Sequence, residues 1–574
     1  MSDQTGCTSL TGGEAVVRAL AAHGVTQAFG IPGTHNLEIY RHLGPYGIGH
    51  VAPRHEQGAG YAADAYARVT GRPGVAITTT GPALLNIAAA VGQAYSDSVP
   101  LLVVSPGMPL RHPRQATGLL HEMRSQTEAL RGVAAFSHRV SSVEEIGSAV
   151  ARAFALLRHE RPRPVHVEVP LDLLEAAEPA GPVRLAPPLA RPGAEASAVR
   201  EAARVLRSAK RPALVLGGGA RQAAAACLTL AELLGAPVVT TANGKGIVDE
   251  RHHLALGVSL HSPAVQRWLT GCDAVLAIGT ELAESDLWSA PPALTGTLIR
   301  VDLDPAQMYT GLPAGQPLVG DARTTLTALL TALTEPPSAI DPGPENCGEN
   351  SRGIRESGAD GPGTRTGGTS ADRCGSPDRA GSVATLRAAR DAETAGRDAR
   401  WLPYLRAVRS VLAHDAVLTS DSAQCCYYGA LPHLPVGPEG RFLHPTGFGT
   451  LGYALPAAVG AKTAYPRRQV VALSGDGGLQ FSVQELATAA QLGLPLPVVV
   501  FDNGGYGEIR DGMTARGDRP FAVDLPAVDL PALARAYGGR GSHADSPEAL
   551  ARALSLALTT PGPTVITVTE EPFR

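Results

Sequence analysis

The stretch LSGDGGLQFSVQELATAAQLGLPLPVVVFDNGGYGEIRDGM, residues 473–513, reads as a strand, a glycine turn, a helix, a second strand and a second glycine-rich turn. VVALS (470–474) is an apolar strand. Gly475-Asp476-Gly477 forms a turn at its carboxyl end, which is where open α/β sheets bind ligands. Glycines there, continuing to Gly478, let the backbone approach a phosphate closely. The helix expected over 482–492 offers unpaired N–H groups to an anion. Asp476 supplies a hard oxygen, and PVVVF (497–501) runs into Asp502-Asn503, which brings an amide oxygen to the neighbouring strand end. Two protein oxygens facing a diphosphate describe a Mg2+ site, because Mg2+ takes few protein ligands and completes its shell with phosphate oxygens and water. The structural alternative is that Asp476 caps a helix and Asn503 serves a turn. The second strand at this spacing favours the binding reading.

Working outward, apolar runs such as GVAITTT (74–80) and PLLVVSP (100–106) alternate with Ala-rich helical patterns, which indicates βα units and parallel sheets. The pattern occurs in three blocks, 9–175, 195–333 and 401–574, so the expected fold class is α/β with three doubly wound parallel-sheet domains. Between the last two blocks, residues 335–395 are dense in Gly, Pro, Ser and charge and read as a disordered linker. Its last part, continuing as VATLRAARDAETAGRDAR (383–400), has a loose helix as its alternative.

A chain of 574 residues is too long for one core. The formal net charge is −4, and the 49 Lys and Arg are spread along the chain, so nucleic acid is not an expected partner. No apolar run approaches the roughly 18 residues of a spanning helix. The start, MSDQTGCTSL, has neither a basic nor an apolar leader region, so no membrane partner and a cytoplasmic location are expected. The cysteines at 7, 227, 272, 347, 374, 425 and 426 lack metal-ligand spacing and read as reduced thiols.

The GDG turn with its downstream Asp502-Asn503 resembles the binding motif of thiamine diphosphate enzymes. FGIPGTHNLEIY (29–40), RHEQGAGYAADAYARVTG (54–71), GPALLN (81–86) and AYSDSVPLLVV (94–104) resemble the pyrimidine-binding domain of the acetolactate synthase and 2-oxo acid decarboxylase superfamily. Within it, LHPTGFGTLGYALPAAVGAK (443–462) and GEIRDGM (507–513) are most similar to the 5-guanidino-2-oxopentanoate decarboxylases. The three blocks would then be the pyrimidine-binding, central and diphosphate-binding domains.

The resemblance implies roles. Glu56 matches the carboxylate that hydrogen-bonds N1′ of the cofactor and favours the imino tautomer, whose nitrogen removes the thiazolium C2 proton. Leu451 matches the apolar residue that props the cofactor in a bent shape. Asp476, Asn503 and the carbonyl of Gly505 match the Mg2+ ligands, and Gly475, Gly477 and Gly478 lie in the cofactor turn. Gln424 and Cys425 fall where the family holds the diphosphate; the cysteine departs from the histidine common in synthases. His121 stands where acetolactate synthases carry a glutamine at the reaction centre. An imidazole there suits protonation of the carbon left after CO2 loss, against the plain alternative of a satisfied histidine. Gly33, Thr34 and His35, in the turn after the first strand, are further substrate candidates.

Glu508 and Gly512 stand where synthases have an apolar residue and a tryptophan that seat a small second oxo acid. Glu508 and Asp511 offer carboxylates to a cationic tail, and a guanidinium is the best match for such a pair; the alternative is that Arg510 neutralises them. Glu508 is itself a departure, since the decarboxylases compared have glutamine there. In the middle block, LVLGGGARQ (214–222) and VLAIGTEL (275–282) show glycine after a strand, but ELAESDLW (281–288) lacks the expected arginine and aspartate pattern, so no FAD is predicted.

The resemblance implies non-oxidative decarboxylation of a 2-oxo acid, with 5-guanidino-2-oxopentanoate favoured and 4-guanidinobutanal and CO2 as products, using thiamine diphosphate and Mg2+ in a homodimer or homotetramer whose active sites lie between subunits. The alternatives are an acetolactate synthase-type carboligase acting on pyruvate and a non-catalytic cofactor-binding homologue.

Overall fold

Long β-branched runs bounded by glycine become buried parallel strands here because helices cover both faces of each sheet. The structure, a computed structural model, describes residues 9–113, 116–179, 181–335 and 377–570. Three six-stranded sheets carry the chain. The N-terminal sheet uses strands Gln27–Gly30, Gly49–Val51, Gly74–Ile77, Leu101–Gly107, Phe136–Arg139 and Val165–Pro170, all paired in parallel in the spatial order 2-1-3-4-6-5. The C-terminal sheet repeats that order with Val417–Ser420, Arg441–Leu443, Val470–Gly475, Leu496–Asp502, Arg540–His543 and Pro563–Thr569. The central sheet differs, running 3-2-1-4-5-6 from Pro212–Leu216 onward. In the two outer sheets the chain reverses direction across the sheet between the first and third strands, and such a switch point opens a crevice at the carboxyl ends.

The two outer domains share one hydrophobic core, in which Tyr61, Ala62 and Ala65 pack with Tyr453, Leu455 and Ala458. Its seam is two helices, Glu56–Thr70 and Ala454–Ala464, both rich in small residues so that their backbones can close together. A Cβ on Gly460 would stand 2.0 Å from the carbonyl oxygen of Ala62, so nothing larger than glycine fits there. Beside it, Tyr453 donates to Asp64 (2.6 Å), and Arg68 pairs with both Asp64 and Asp97 at 2.7 Å. Asp97 in turn accepts from the backbone N–H groups of Thr446 and Gly447, which satisfies a buried charge across the domain seam.

The 335–395 reading needs correction over its last part. Residues 377–398 form a helix, Pro377–Asp398, although residues 336–376 lie outside those described. The helix is strongly polar and is docked mainly by its charges, with Val383 and Leu386 as its apolar contacts. Val383 is buried in the central core, Arg387 Nε donates to Ala255 O (2.7 Å), and Glu393 accepts from Ser262 Oγ and Ala264 N, both at 2.7 Å. Composition read such a segment as unable to bury a core because its partners are backbone carbonyls and a helix end, which leave no apolar signature. Among the described residues no helix is long and apolar enough to cross a membrane.

Candidate active site

At the switch point of the C-terminal sheet, Asp421 follows the first strand and the GDG turn follows the third. The helix expected over 482–492 starts later, at Glu485, and the turn itself winds into a one-turn helix, Asp476–Leu479, capped by Gly475. The N–H groups nearest the turn therefore belong to the glycines themselves. Burial lifts the Asp476 carboxyl to about 6, with the charge of Asp502 adding to it, and its Oδ1 accepts from the N–H of Asn503 at 3.3 Å. Asn503 Oδ1 is buried and has no hydrogen-bond partner. An orphaned buried oxygen beside a reluctant carboxylate is unfavourable unless a cation meets both. Gly505 has φ +141°, and its carbonyl oxygen lies 3.2 Å from where a Cβ on Gly477 would stand, so the third expected oxygen borders the same turn. A Cβ on Gly477 would also meet the Tyr506 ring at 3.1 Å, and one on Gly478 would meet Asp421 Oδ2 at 3.1 Å. Among the described residues no three His, Cys, Asp or Glu side chains gather, so a cation here would rest on two side-chain oxygens and backbone.

Asp421 is more than a marker of the first strand end. Buried, with its carboxyl held up at about 6 by that burial, it accepts from Ser422 N, Gly452 N and Ser474 Oγ. It thereby anchors one side of the turn that carries Leu451. The other side is held from the N-terminal domain, where Gln93 Oε1 accepts from Thr450 Oγ1 at 3.0 Å. Leu451 is half-buried between these two anchors.

Gln424 and Cys425 part company. The Cys425 thiol is buried, pushed up by that burial, and lies 3.7 Å from the Cys426 sulfur, so it packs rather than faces a ligand. Gln424 Nε2 reaches Glu508 Oε2 at 3.0 Å and Asp511 Oδ2 at 2.8 Å. Tyr428 adds its hydroxyl to Glu508 Oε1 at 2.9 Å. Arg510 does not neutralise these acids: it pairs with Asp524 and donates to Asn503 O, each at 3.0 Å. Among the described residues neither Glu508 nor Asp511 makes an ion pair. The aromatic side of this group was missed in the sequence. Trp288, from the central domain, has φ +54° and sets its ring edge-on to Tyr428 at 5.3 Å. Tyrosine and tryptophan that meet only across two domains leave no local pattern.

In the N-terminal domain, Glu56 opens the helix Glu56–Thr70 and accepts from Asn86 Nδ2 at 2.9 Å. The start of that helix is pinned from the other domain by Glu485, whose carboxylate accepts the N–H groups of Arg54 and His55 at 3.0–3.1 Å. Glu485 was not singled out in the sequence, where it resembles any surface glutamate. His35 and His121, distant in sequence, meet through Thr80: His35 Nδ1 lies 2.6 Å and His121 Nδ1 3.1 Å from Thr80 Oγ1. Gly33 sits against Thr79, with Thr34 exposed beside it. The hydrogen bonds of Glu56 lie within the N-terminal domain and those of Asp476 within the C-terminal one; among the described residues none joins the two. A cavity of about 760 Å³ lies elsewhere, on the central domain between Gly271 and Gly315, and gathers no catalytic groups.

Comparison with known proteins accounts for this architecture. Residues 10–129, 199–329 and 423–568 match, respectively, the N-terminal TPP binding domain, the central domain and the C-terminal TPP binding domain of thiamine pyrophosphate enzymes. A probable 2-ketoarginine decarboxylase, AruI of Pseudomonas aeruginosa, is 41% identical over 534 residues, covering 92% of this chain and 89% of its own. The acetolactate synthase large subunit of Parasynechococcus marenigrum is 31% identical, covering 98% of this chain and 87% of its own. Acetolactate synthase isozyme 3 large subunit of Escherichia coli is 32% identical, covering 96% and 92%. With three matched domains in order, the chain belongs to the family of thiamine pyrophosphate, or thiamine diphosphate, enzymes.

Proposed function

We propose that this enzyme decarboxylates 5-guanidino-2-oxopentanoate, the 2-keto acid of arginine, to 4-guanidinobutanal and CO2, using Mg2+ to hold its cofactor. The observation that carries the substrate is the convergence of Glu508 and Asp511 on one amide nitrogen, Gln424 Nε2, with no ion pair on either among the described residues. Two carboxylates that share one amide donor, with only a tyrosine hydroxyl added to Glu508, have acceptor capacity left for a planar guanidinium. The 41% identity to a probable 2-ketoarginine decarboxylase points the same way.

Asp476, Asn503 and the Gly505 carbonyl would hold the Mg2+, an assignment supported by the orphaned Asn503 oxygen. When bound, thiamine diphosphate would supply a nucleophilic carbon and a sink for the electron pair released with CO2. Glu56, oriented by Asn86, holds a proton at the cofactor's aminopyrimidine. Gln424 and the glycines 475, 477 and 478 line the diphosphate turn, Leu451 supports the cofactor from its doubly anchored loop, and Gly33, Thr34, His35 and His121 face the reacting acid. Because Glu56 and Asp476 keep separate partners within one chain, we assign each active site to two subunits of a homodimer; pairing into a tetramer would use surfaces outside these sites.

The test is CO2 release by the purified protein with cofactor and Mg2+, comparing 5-guanidino-2-oxopentanoate with pyruvate and identifying products by mass. Preference for the guanidino acid with aldehyde as product is the expected result. Acetolactate from pyruvate would replace this reading with carboligation, for which Gly512, with open space where a side chain would stand, offers no wall.

A further inference from the structure

The N-terminal sheet has its own switch point, between the strands Gln27–Gly30 and Gly74–Ile77. His35 follows the first of these strands, and Thr80 follows the second. His121 comes from the segment after the next strand, Leu101–Gly107. Three different strand ends thus deliver an imidazole, a hydroxyl and an imidazole to one crevice, at the same carboxyl edge as Glu56. The two rings stand 5.4 Å apart, edge to face, and Thr80, fully buried, lies between their Nδ1 atoms.

The arrangement is held under strain. His121 has φ +63°, a left-handed conformation that few non-glycine residues adopt. Strain of this kind persists where the surroundings over-determine it. Here Gly81, with φ +60°, leaves room for it, since a Cβ would come within 2.6 Å of His121 O and 2.9 Å of His121 Cβ. Gln126 fixes Gly81 by accepting from its N–H at 2.7 Å and is itself fixed by donating to Pro106 O at 2.7 Å.

A threonine hydroxyl has one proton to donate, so it can donate to one Nδ1 and must accept from the other. With both rings neutral, His35 and His121 therefore carry opposite tautomers. Among the described residues no hydrogen bond engages Nε2 of either ring.

We infer that His35, Thr80 and His121 form one proton wire, in which Thr80 is the positioning residue that couples an outer to an inner imidazole. The inference rests on the 2-oxo acid decarboxylase reading, whose stoichiometry consumes one proton: a 2-oxo acid anion plus one proton gives an aldehyde plus CO2. In the delivering state His35 Nδ1–H donates to Thr80, and Thr80 O–H donates to His121 Nδ1. The His121 Nε2–H bond breaks as a C–H bond forms at the carbon that lost CO2. The Thr80 proton passes to His121 Nδ1, the His35 Nδ1 proton passes to Thr80, and water protonates His35 Nε2. One proton enters and one leaves. Both tautomers have inverted, and proton exchange with solvent at the two Nε2 atoms restores them.

Thr80→Val removes the hydroxyl while nearly keeping the shape. In the holoenzyme it is expected to lower kcat by about tenfold to a hundredfold, within the range that positioned proton transfer contributes. KM should stay within about threefold, and Thr80→Ser should restore most of the rate. A Thr80→Val enzyme that turns over like its parent overturns the wire and leaves the decarboxylase reading standing. Should Thr80→Val fail to fold, Thr80→Ser and Thr80→Ala are measured in its place: a serine enzyme no faster than the alanine one overturns the wire. Independently of turnover, 15N-histidine spectra of the holoprotein should assign opposite neutral tautomers to His35 and His121. Like tautomers in the parent protein overturn the wire even if no 2-oxo acid proves to be a substrate.

Discussion

At the scale of single residues, charge and hydrogen-bond capacity decide what each group can do. Glu56 has one oxygen engaged by Asn86, and in the proposed function the other meets the cofactor. Glu56→Gln is expected to lower kcat by at least about a hundredfold with cofactor binding retained, which steady-state rates alongside cofactor titration would check. An activity that survives this change cannot depend on the proposed proton. The proposed function gives Glu508 and Asp511 to recognition instead. Glu508→Gln keeps the bond from Tyr428 but removes a charge, and should raise KM for the guanidino acid by roughly tenfold, the scale of one charge-assisted hydrogen bond. The same variant should leave an uncharged 2-oxo acid of equal length unaffected or bound more tightly. A KM unchanged for both substrates would remove Glu508 from recognition.

At the scale of elements, two helices that touch along glycine and alanine define the seam on which Glu56 is mounted. Gly460→Val would drive a side chain into the Ala62 backbone, and the helices must part. A destabilisation of about 1–3 kcal/mol is expected, read as a lower midpoint in denaturant unfolding. Glu485 acts on the same helix from its open end. Burial raises its carboxyl, but the N–H groups of Arg54 and His55 favour its charged form. Glu485→Ala should therefore reduce activity while sparing the geometry of the GDG turn, since it frees the start of the helix that carries Glu56. The polar helix Pro377–Asp398 belongs to this scale as well: Arg387, Arg390 and Glu393, with Val383 and Leu386, attach it, contacts visible only when the carbonyls of 252–256 are gathered in space.

At the scale of the whole molecule, a site divided between subunits has a distinctive signature. Mixing Glu56→Gln with Asp476→Ala protein and allowing exchange should regenerate about a quarter of parental activity, because each mixed dimer contains one site with both native residues. If Glu56 and Asp476 served the same chain, no mixture would regain activity. Stability has its own signature. Burial raises the Asp286 carboxyl from its ordinary 3.8 to about 7. A raised folded-state value means that the native protein retains this proton longer than the unfolded chain, so the group's contribution declines as pH climbs from about 4 to about 7. Asp286→Asn, which can keep accepting from the Ala242 N–H, should match its parent near pH 4 and melt higher than it at pH 8.

The sequence by itself determined the α/β class, the GDG turn and the family, because each depends on local order: a strand, the glycines that must follow it, and the oxygen-bearing residue beside them. It also offered Glu508 and Asp511 as a pair, and His35 and His121 as separate candidates. Tertiary structure decided their grouping. Thr80 joins two histidines that lie 86 residues apart in the chain (121 − 35), and no spacing rule connects a hydroxyl at one strand end with rings at two others. Arg510, adjacent in sequence to the acids it was offered to neutralise, turns instead to Asp524 and the Asn503 carbonyl. Glu485, Asp421 and Gln93 have ordinary sequence surroundings and matter only because folding aims them at the helix start and the Leu451 turn. Periodicity and turn chemistry report what neighbours along the chain must do, whereas hydrogen bonds between domains are set by which sheet edges the packed small-residue helices bring together.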